Sequence, residues 1–383
     1  MFPKYRGLNL FQVIGICEIV RWNRMVNIKT DEVLIKLVEK MYNELISGEV
    51  PELKLSSRTK DNIVFDQAIN VWKYGNSSVS RSAKTTDGAQ FMAKALYTIE
   101  FIMDMIKSQK SSTLREMYYI SEGWKDYKFH TQDESNMLAE DLEVITSLMR
   151  EDFKLRPEEN GASVIGNITI DEKNRKGEFK RINCRDDVGD AGYTIPYNVE
   201  QEKVKLISHD ADFILAIETG GMFDRLVENG FDEDFRSVLV HLKGQPARST
   251  RRLLKRLNDE LGLPVFVFTD GDPWSFRIFG SIAYGAIKTA HISEWLAVPA
   301  AEFIGITASD IINYDLPSDK LSDKDVSALN SELQDPRFST EFWRQEIETM
   351  LQMGKKAEQQ ALAKYGLDFV TEKYLPDKLS DVL

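Results

Sequence analysis

This chain of 383 residues has two cysteines, Cys17 and Cys184, and four scattered histidines. Two cysteines cannot build a disulfide framework, and they suit a reducing compartment. The histidines and cysteines show no zinc-ligand spacing. No apolar run reaches the ~18 residues a membrane span needs. Residues 1–10 contain Pro, Lys and Arg but no apolar core, so no secretory signal is expected there. There is no Gly-x-x-x-x-Gly-Lys-Ser/Thr loop, so this polypeptide is not expected to handle a nucleotide triphosphate. These absences lead to the expectation of a cytoplasmic protein, nucleoid-associated if it works on DNA. Apolar residues make up 42% and charged residues 29%, ordinary for a globular chain of two or three domains.

The net charge is −12, but its distribution is uneven. Between His241 and Arg256 lie Lys243, Arg248, Arg251, Arg252, Lys255 and Arg256, with no acid among them. Such a run is either a solvated helix face or a phosphate-contacting surface.

The most informative stretch is Val265-Phe-Val-Phe-Thr-Asp-Gly-Asp272. Its apolar β-formers suit a strand buried on both faces, as in a parallel sheet. Asp270 and Asp272 then fall past the strand's C-terminal end, where open α/β sheets bind ligands. Residues two apart in extended chain point the same way, and Gly271 permits a tight turn between them. A second strand, Phe213–Ile217, ends in Glu218 followed by Gly220 and Gly221. Three clustered carboxylates repel unless a cation lies among them, and an all-oxygen donor set favours magnesium. An acid after one strand and an Asp-x-Asp after a later one resembles the TOPRIM domain of topoisomerases, DnaG-type primases and some nucleases.

In the rest of the chain, residues 1–75 are expected to be an N-terminal extension with a helix over 30–46, short strands near 52–56 and 62–65, and a hairpin turn at Tyr74-Gly-Asn. Residues 76–170 predict three helices, from Ala89 to Ile106, from near Thr113, and from Asp133 to Arg150. A β-hairpin follows over 153–170. That order matches a winged helix, a DNA-docking module. Residues 171–203 predict a linker between domains, with room for short strands. Residues 204–383 predict alternating strands and helices around a mostly parallel sheet, with a long amphipathic helix from Thr340 to Tyr365 closed by Gly366. The expected class is therefore α/β and α+β multidomain, a winged-helix (CAP-like) domain followed by a TOPRIM domain.

The second predicted helix carries Arg115-Glu-Met-Tyr-Tyr119. A phenol with a pKa near 10 is a poor nucleophile at neutral pH, and a nearby guanidinium favours its phenolate and the phosphate it would attack. Arg115 can share a face with Tyr118 or Tyr119, so spacing does not choose between them.

Four motifs occur in order: Arg115-Glu-Met-Tyr-Tyr119, Glu218 with Gly220-Gly-Met-Phe223, Gly244-Gln-Pro-Ala-Arg-Ser-Thr-Arg251, and Asp270-Gly-Asp-Pro273. Together they resemble the A-subunit family of archaeal type IIB topoisomerases, and they are similar to the eukaryotic transesterase that makes meiotic double-strand breaks. The resemblance implies Tyr119 as nucleophile, Arg115 as catalytic arginine, and Glu218, Asp270 and Asp272 as Mg2+ ligands. It assigns Lys243, Arg248 and Arg251 to DNA contact. It further implies a homodimer that makes reversible 5′-phosphotyrosyl breaks in duplex DNA, and an ATPase B subunit of GHKL type giving A2B2, with ATP used by that partner. A TOPRIM nuclease and a non-catalytic DNA-binding scaffold are the alternatives.

Overall fold

The computed structural model describes residues 30–157 and 162–380. Cys17 and the expectation about residues 1–10 lie outside the described residues. The described residues fall into two compact units, one built from 30–62 and 74–157, the other from 63–73 and 162–380.

In chain order the described residues begin with α1 (Thr30–Ile46), followed by four short strands: β1 (Glu52–Ser56), β2 (Ile63–Asp66), β3 (Val71–Tyr74) and β4 (Ser78–Ser82). β1 pairs antiparallel with β4, whereas β2 pairs with β3. The hairpin turn expected at Tyr74-Gly-Asn is therefore not formed, because β3 and β4 do not pair. Next come α2 (Thr86–Ser108), β5 (Ser112–Thr113), α3 (Leu114–Ser121), α4 (Gln132–Thr146) and β6 (Leu155–Arg156). Thr85 caps α2 by accepting a hydrogen bond from Gly88 N. A Cβ at Gly88 would lie 1.9 Å from the Ser82 carbonyl oxygen, so the chain can turn into the helix only with glycine there.

The core of this unit packs Leu34 of α1 with Ala95, Ile99 and Ile102 of α2, Met117 of α3, and Leu138 and Leu142 of α4. Within the described residues this corrects the reading of 1–75 as an extension: α1 belongs to the core of the later helices, and β1 packs through Leu53 in a smaller cluster with Met41 of α1 and Met92 of α2. The β2–β3 hairpin instead joins the second unit, where Trp72 N donates to the Tyr284 carbonyl (3.1 Å) and Phe65 packs edge-on against the Tyr284 ring. The expected hairpin over 153–170 also fails to form. β6 pairs in parallel with β5, and β7 (Ser163–Ile165) leaves for the large sheet of the second unit.

The predicted linker over 171–203 carries short strands that join the sheets of the second unit. β8 (Ile168–Lys173), β9 (Phe179–Asn183), β10 (Tyr193–Thr194) and β11 (Val204–His209) follow β7, and an antiparallel sheet runs in the order β11-β8-β9. The remaining major strands are β12 (Phe213–Ile217), β13 (Ser237–His241), β14 (Val265–Phe268) and β15 (Glu302–Gly305). They form a six-stranded sheet in the order β10-β7-β13-β12-β14-β15. β13, β12, β14 and β15 are mutually parallel, while β7 is antiparallel to β13. Every residue of β12 and β14 is buried, as expected of parallel strands covered on both faces. Helices α5 (Gly220–Glu228), α6 (Arg248–Leu261) and α7 (Pro273–Ala283) follow β12, β13 and β14.

The long helix expected from Thr340 to Tyr365 stops early. α8 spans Glu341–Met353, capped by Thr340 and ended by Gly354 in the left-handed region at φ 64°. β16 (Asp319–Lys320) then pairs with β17 (Lys355–Lys356), and Ala357 forms an antiparallel bridge with Gly271. The chain after Gly354 thus returns to the end of β14 instead of continuing outward as helix.

Candidate active site

Glu218 and Asp270 share one sheet edge because β12 and β14 are parallel neighbours with Ile217 opposite Phe268. The ladder continues one step further, with Glu218 N donating to the Phe268 carbonyl at 3.1 Å. Glu218 Oε2 accepts from Asp270 N at 3.0 Å, so the first acid holds the backbone of the second. Gly271 follows, its N donating to Ala357 O at 2.8 Å. A Cβ at Gly271 would stand 3.1 Å from the Ile306 side chain and carbonyl, so the close approach favours glycine. Asp272 is the N-cap of α7: its Oδ1 accepts from Ser275 N at 2.7 Å, and Pro273 occupies the first turn. The N-terminus of α7 thereby brings partial positive charge to the acidic edge.

Burial dominates the electrostatics. It pushes the Asp270 carboxyl up to about 7, opposed by the Gln359 N–H that donates to it and reinforced by the charges of Glu218 and Asp272. Burial also raises Glu218, against hydrogen bonds from Ser275 and the Asp270 backbone, and the Asp272 charge adds to the rise. A cluster that holds its protons this way is short of positive charge. The donors are all oxygens, which suits a hard divalent cation. Among the described residues, however, no three His, Cys, Asp or Glu side chains form a ready metal cage. Glu218 Oε2, Asp270 Oδ1 and Asp272 Oδ1 each accept a backbone N–H. The set therefore fits Mg2+ in donor type and charge but not as a closed three-acid chelate. Mg2+ commonly keeps several waters and uses only one or two carboxylates, so the open arrangement is compatible with it.

One residue of this site was not anticipated from sequence. Gln359 is fully buried, its N donates to Asp270 Oδ1 at 2.7 Å, and its Nε2 donates to the Phe268 carbonyl at 3.0 Å. Its Oε1 accepts from Thr219 Oγ1 at 2.9 Å and from Thr219 N at 3.3 Å. Extending the preceding helix to Tyr365 hid it; Gly354, a ready helix terminator, was the available signal.

In the first unit, α3 opens with a reciprocal cap. Thr113 Oγ1 accepts from Glu116 N at 3.0 Å, and Glu116 Oε2 accepts from Thr113 N at 2.7 Å. The Thr113 N–H leads in holding the Glu116 carboxyl below its ordinary range. The helix then presents three different surfaces. Met117 is fully buried in the core, and Tyr118 is half-buried and packs against that core. Tyr119 is 60% exposed, with its ring edge-on to Tyr118 at 5.4 Å. Arg115, one turn before Tyr119, is exposed as well. The structure thus separates two tyrosines that spacing left equivalent: Tyr118 packs, and Tyr119 is accessible to a large substrate.

The basic run divides by role. Leu242 N donates to Ile217 O at 2.7 Å and Gly244 N to Glu218 O at 3.0 Å, so the loop holding Lys243 runs along the acidic strand end. Lys243 is exposed and Arg248 is half-buried at the start of α6. Arg251 is 5% exposed, and its Nη1 donates to the Ser281 carbonyl at 3.4 Å. Arg251, which the resemblance assigns to DNA contact, thus turns into the protein and links α6 to α7. Arg252 pairs with Glu200 through two bonds of 2.7 and 3.0 Å. Arg256 is buried against Glu260 and the carbonyls of Val199 and Val204. Half of the apparent phosphate-binding surface is scaffold.

Comparison with known families gives three matches along the chain. Residues 90–155 match the family described as type IIB DNA topoisomerase. Residues 158–210 match the all-beta domain in DNA topoisomerase VI alpha subunit, in agreement with the β-structure found where a linker was expected. Residues 213–379 match the Toprim domain of the topoisomerase 6 A-subunit/Spo11 family. Among full-length relatives, the A subunit of type 2 DNA topoisomerase 6 from Archaeoglobus fulgidus is 57% identical over 349 residues, covering 91% of this chain and 96% of its own. The proteins of the same name from Natronomonas pharaonis and Methanosarcina mazei are 56% and 54% identical, each over 92% of this chain and 95% of their own. With the acidic sheet edge and the exposed tyrosine in place, and at this identity over nearly its whole length, the chain belongs to the A-subunit family of topoisomerase VI.

Proposed function

We propose that the chain is the DNA-cleaving and rejoining subunit of an ATP-dependent type II topoisomerase of the IIB class, with Tyr119 as its nucleophile. The Tyr119 oxygen attacks a backbone phosphorus and loses its proton to solvent. The bond from phosphorus to the 3′-oxygen breaks, and the departing oxygen takes up a proton as a free 3′-hydroxyl. A 5′-phosphotyrosyl ester remains. One ester replaces another, so rejoining by the reverse step needs no nucleotide. Arg115, one turn away on the same helix, is placed to favour the phenolate and to neutralise the phosphate under attack.

Glu218, Asp270 and Asp272 would hold Mg2+, which when bound supplies charge neutralisation at the phosphate oxygens. Lys243 and Arg248, at the same sheet edge, would contact the DNA backbone. The helical unit serves as the winged-helix (CAP-like) module that docks the duplex. Each chain has one nucleophile, so a double-strand break takes two chains, and the functional unit is a homodimer. Strand passage draws on ATP, which a GHKL-type ATPase B subunit handles in an A2B2 assembly. Relaxation and decatenation belong to that assembly.

The observation that carries this proposal is an exposed tyrosine on a capped helix in the same chain as three carboxylates at one sheet edge, with family membership over both. The test is relaxation of supercoiled DNA with the ATPase subunit supplied. Tyr119→Phe is expected to fall below about a thousandth of the wild-type rate, and Tyr118→Phe to retain most of it. Relaxation by Tyr119→Phe at the wild-type rate would overturn the assignment.

A further inference from the structure

The chain beyond Gly354 lies far in sequence from both acid-bearing strands, yet it reaches the gap between their ends. Gln359 is the point of arrival. Its carboxamide accepts from Thr219, the residue after Glu218, and donates to Phe268, two residues before Asp270. Its own N–H holds Asp270 Oδ1. The neighbouring Gln360 adds a bond from Nε2 to Thr219 Oγ1 at 3.2 Å. One residue thus extends the β12–β14 ladder past its last regular pair through its side chain and ties it to a carboxylate through its backbone N–H. We infer that Gln359 is a positioning residue for the acidic site, setting the spacing of Glu218 and Asp270 that a divalent cation requires.

This inference rests on the proposed Mg2+ role of those acids. A fully buried glutamine with every polar atom satisfied could simply complete the core. The two roles differ in what they move. Core completion affects stability alone, whereas positioning affects the cation affinity of the folded protein.

The test uses the full chain without DNA and Mn2+ as the probe, with free ion followed by electron paramagnetic resonance and unfolding followed in parallel. Gln359→Met keeps the length of the side chain and removes the carboxamide bonds to Thr219 and Phe268, so that the backbone N–H to Asp270 is left without that support. Its Mn2+ dissociation constant is expected to rise about tenfold, the usual size of an effect transmitted through a ligand's support. Thr219→Val removes only the hydroxyl that Gln359 accepts from, and a smaller rise in the same direction is expected. Wild-type Mn2+ affinity in a folded Gln359→Met protein, whatever its melting temperature, would overturn the inference. If Gln359→Met does not fold, Thr219→Val decides by the same criterion. Should the wild-type chain show no Mn2+ site that Asp270→Asn and Asp272→Asn abolish, the metal role itself fails and this inference with it. A wild-type site that Gln359→Met leaves intact defeats the inference alone.

Discussion

The two halves of the proposed chemistry are built in opposite ways. Tyr119 stands on a short helix whose fold is secured elsewhere, by the Thr113–Glu116 cap and by Met117 in the core. The tyrosine contributes little to holding that helix, being 60% exposed. Glu218 and Asp270 sit at the ends of strands with no exposed residue, Glu218 holds the backbone of Asp270, and these two keep their protons more tightly than ordinary carboxylates. A nucleophile that must meet a large substrate can sit on the surface at no structural cost. A charge cluster that must grip a cation is worth more in a drier setting, and it carries strain until the cation is present.

Substitutions can sharpen or break this contrast. The largest effect expected is on activity. Glu218→Gln, Asp270→Asn and Asp272→Asn should each lower DNA cleavage by about a hundredfold to a thousandfold, with the ATPase partner supplied and cleavage read on gels. Tyr119→Phe should abolish cleavage yet leave stability in urea titrations unchanged, within about 0.5 kcal/mol. A destabilised Tyr119→Phe protein would break the comparison at its exposed side.

Next in size is the division of the basic run. Arg256→Ala leaves Glu260 and two buried carbonyls without their donor and should cost about 3 kcal/mol of stability in urea titrations. Lys243→Ala should leave stability within about 0.5 kcal/mol of wild type. It should also reduce the salt dependence of DNA binding by roughly one counterion. Equal stability effects from the two would refute the division.

A further effect concerns pH. In metal-free protein the Asp270 carboxyl lies at about 7 against an ordinary 3.8. Between those values the folded state binds a proton that the unfolded state has released, so stability falls as pH rises through that window and levels off above it. In EDTA, Asp270→Asn should flatten this fall by roughly one proton's worth of slope, leaving a smaller slope from Glu218. An unchanged slope would mean that the acidic edge is not strained.

What could be read from the sequence follows the same contrast. The acidic strand ends were legible because full burial imposes an uninterrupted apolar pattern, and the break in that pattern marks the site. Capping made the start of α3 legible too, with Thr113 three residues before Glu116. Choosing Tyr119 over Tyr118 was not legible from spacing, since exposure depends on which helix face meets the core. The β8–β9 region passed for a linker because β9 is mostly exposed and polar, and its strand character comes from pairing with β8. Gln359 was hidden for a related reason: its place depends on long-range pairing of Ala357 with Gly271, which no local pattern announces. Among the basic residues, local charge could not separate Lys243 from Arg256, whose partners include Val199 and Val204 some fifty residues earlier.

The most direct measurement is to trap the protein on a DNA substrate whose cut end cannot be rejoined, digest the adduct, and locate the nucleotide by mass spectrometry. The expected product is a peptide with a nucleotide joined through its 5′-phosphate to Tyr119, formed only when a divalent cation is present. Cut DNA ending in free 5′-phosphates with no protein attached, or a nucleotide on Tyr118, would contradict transesterification by Tyr119.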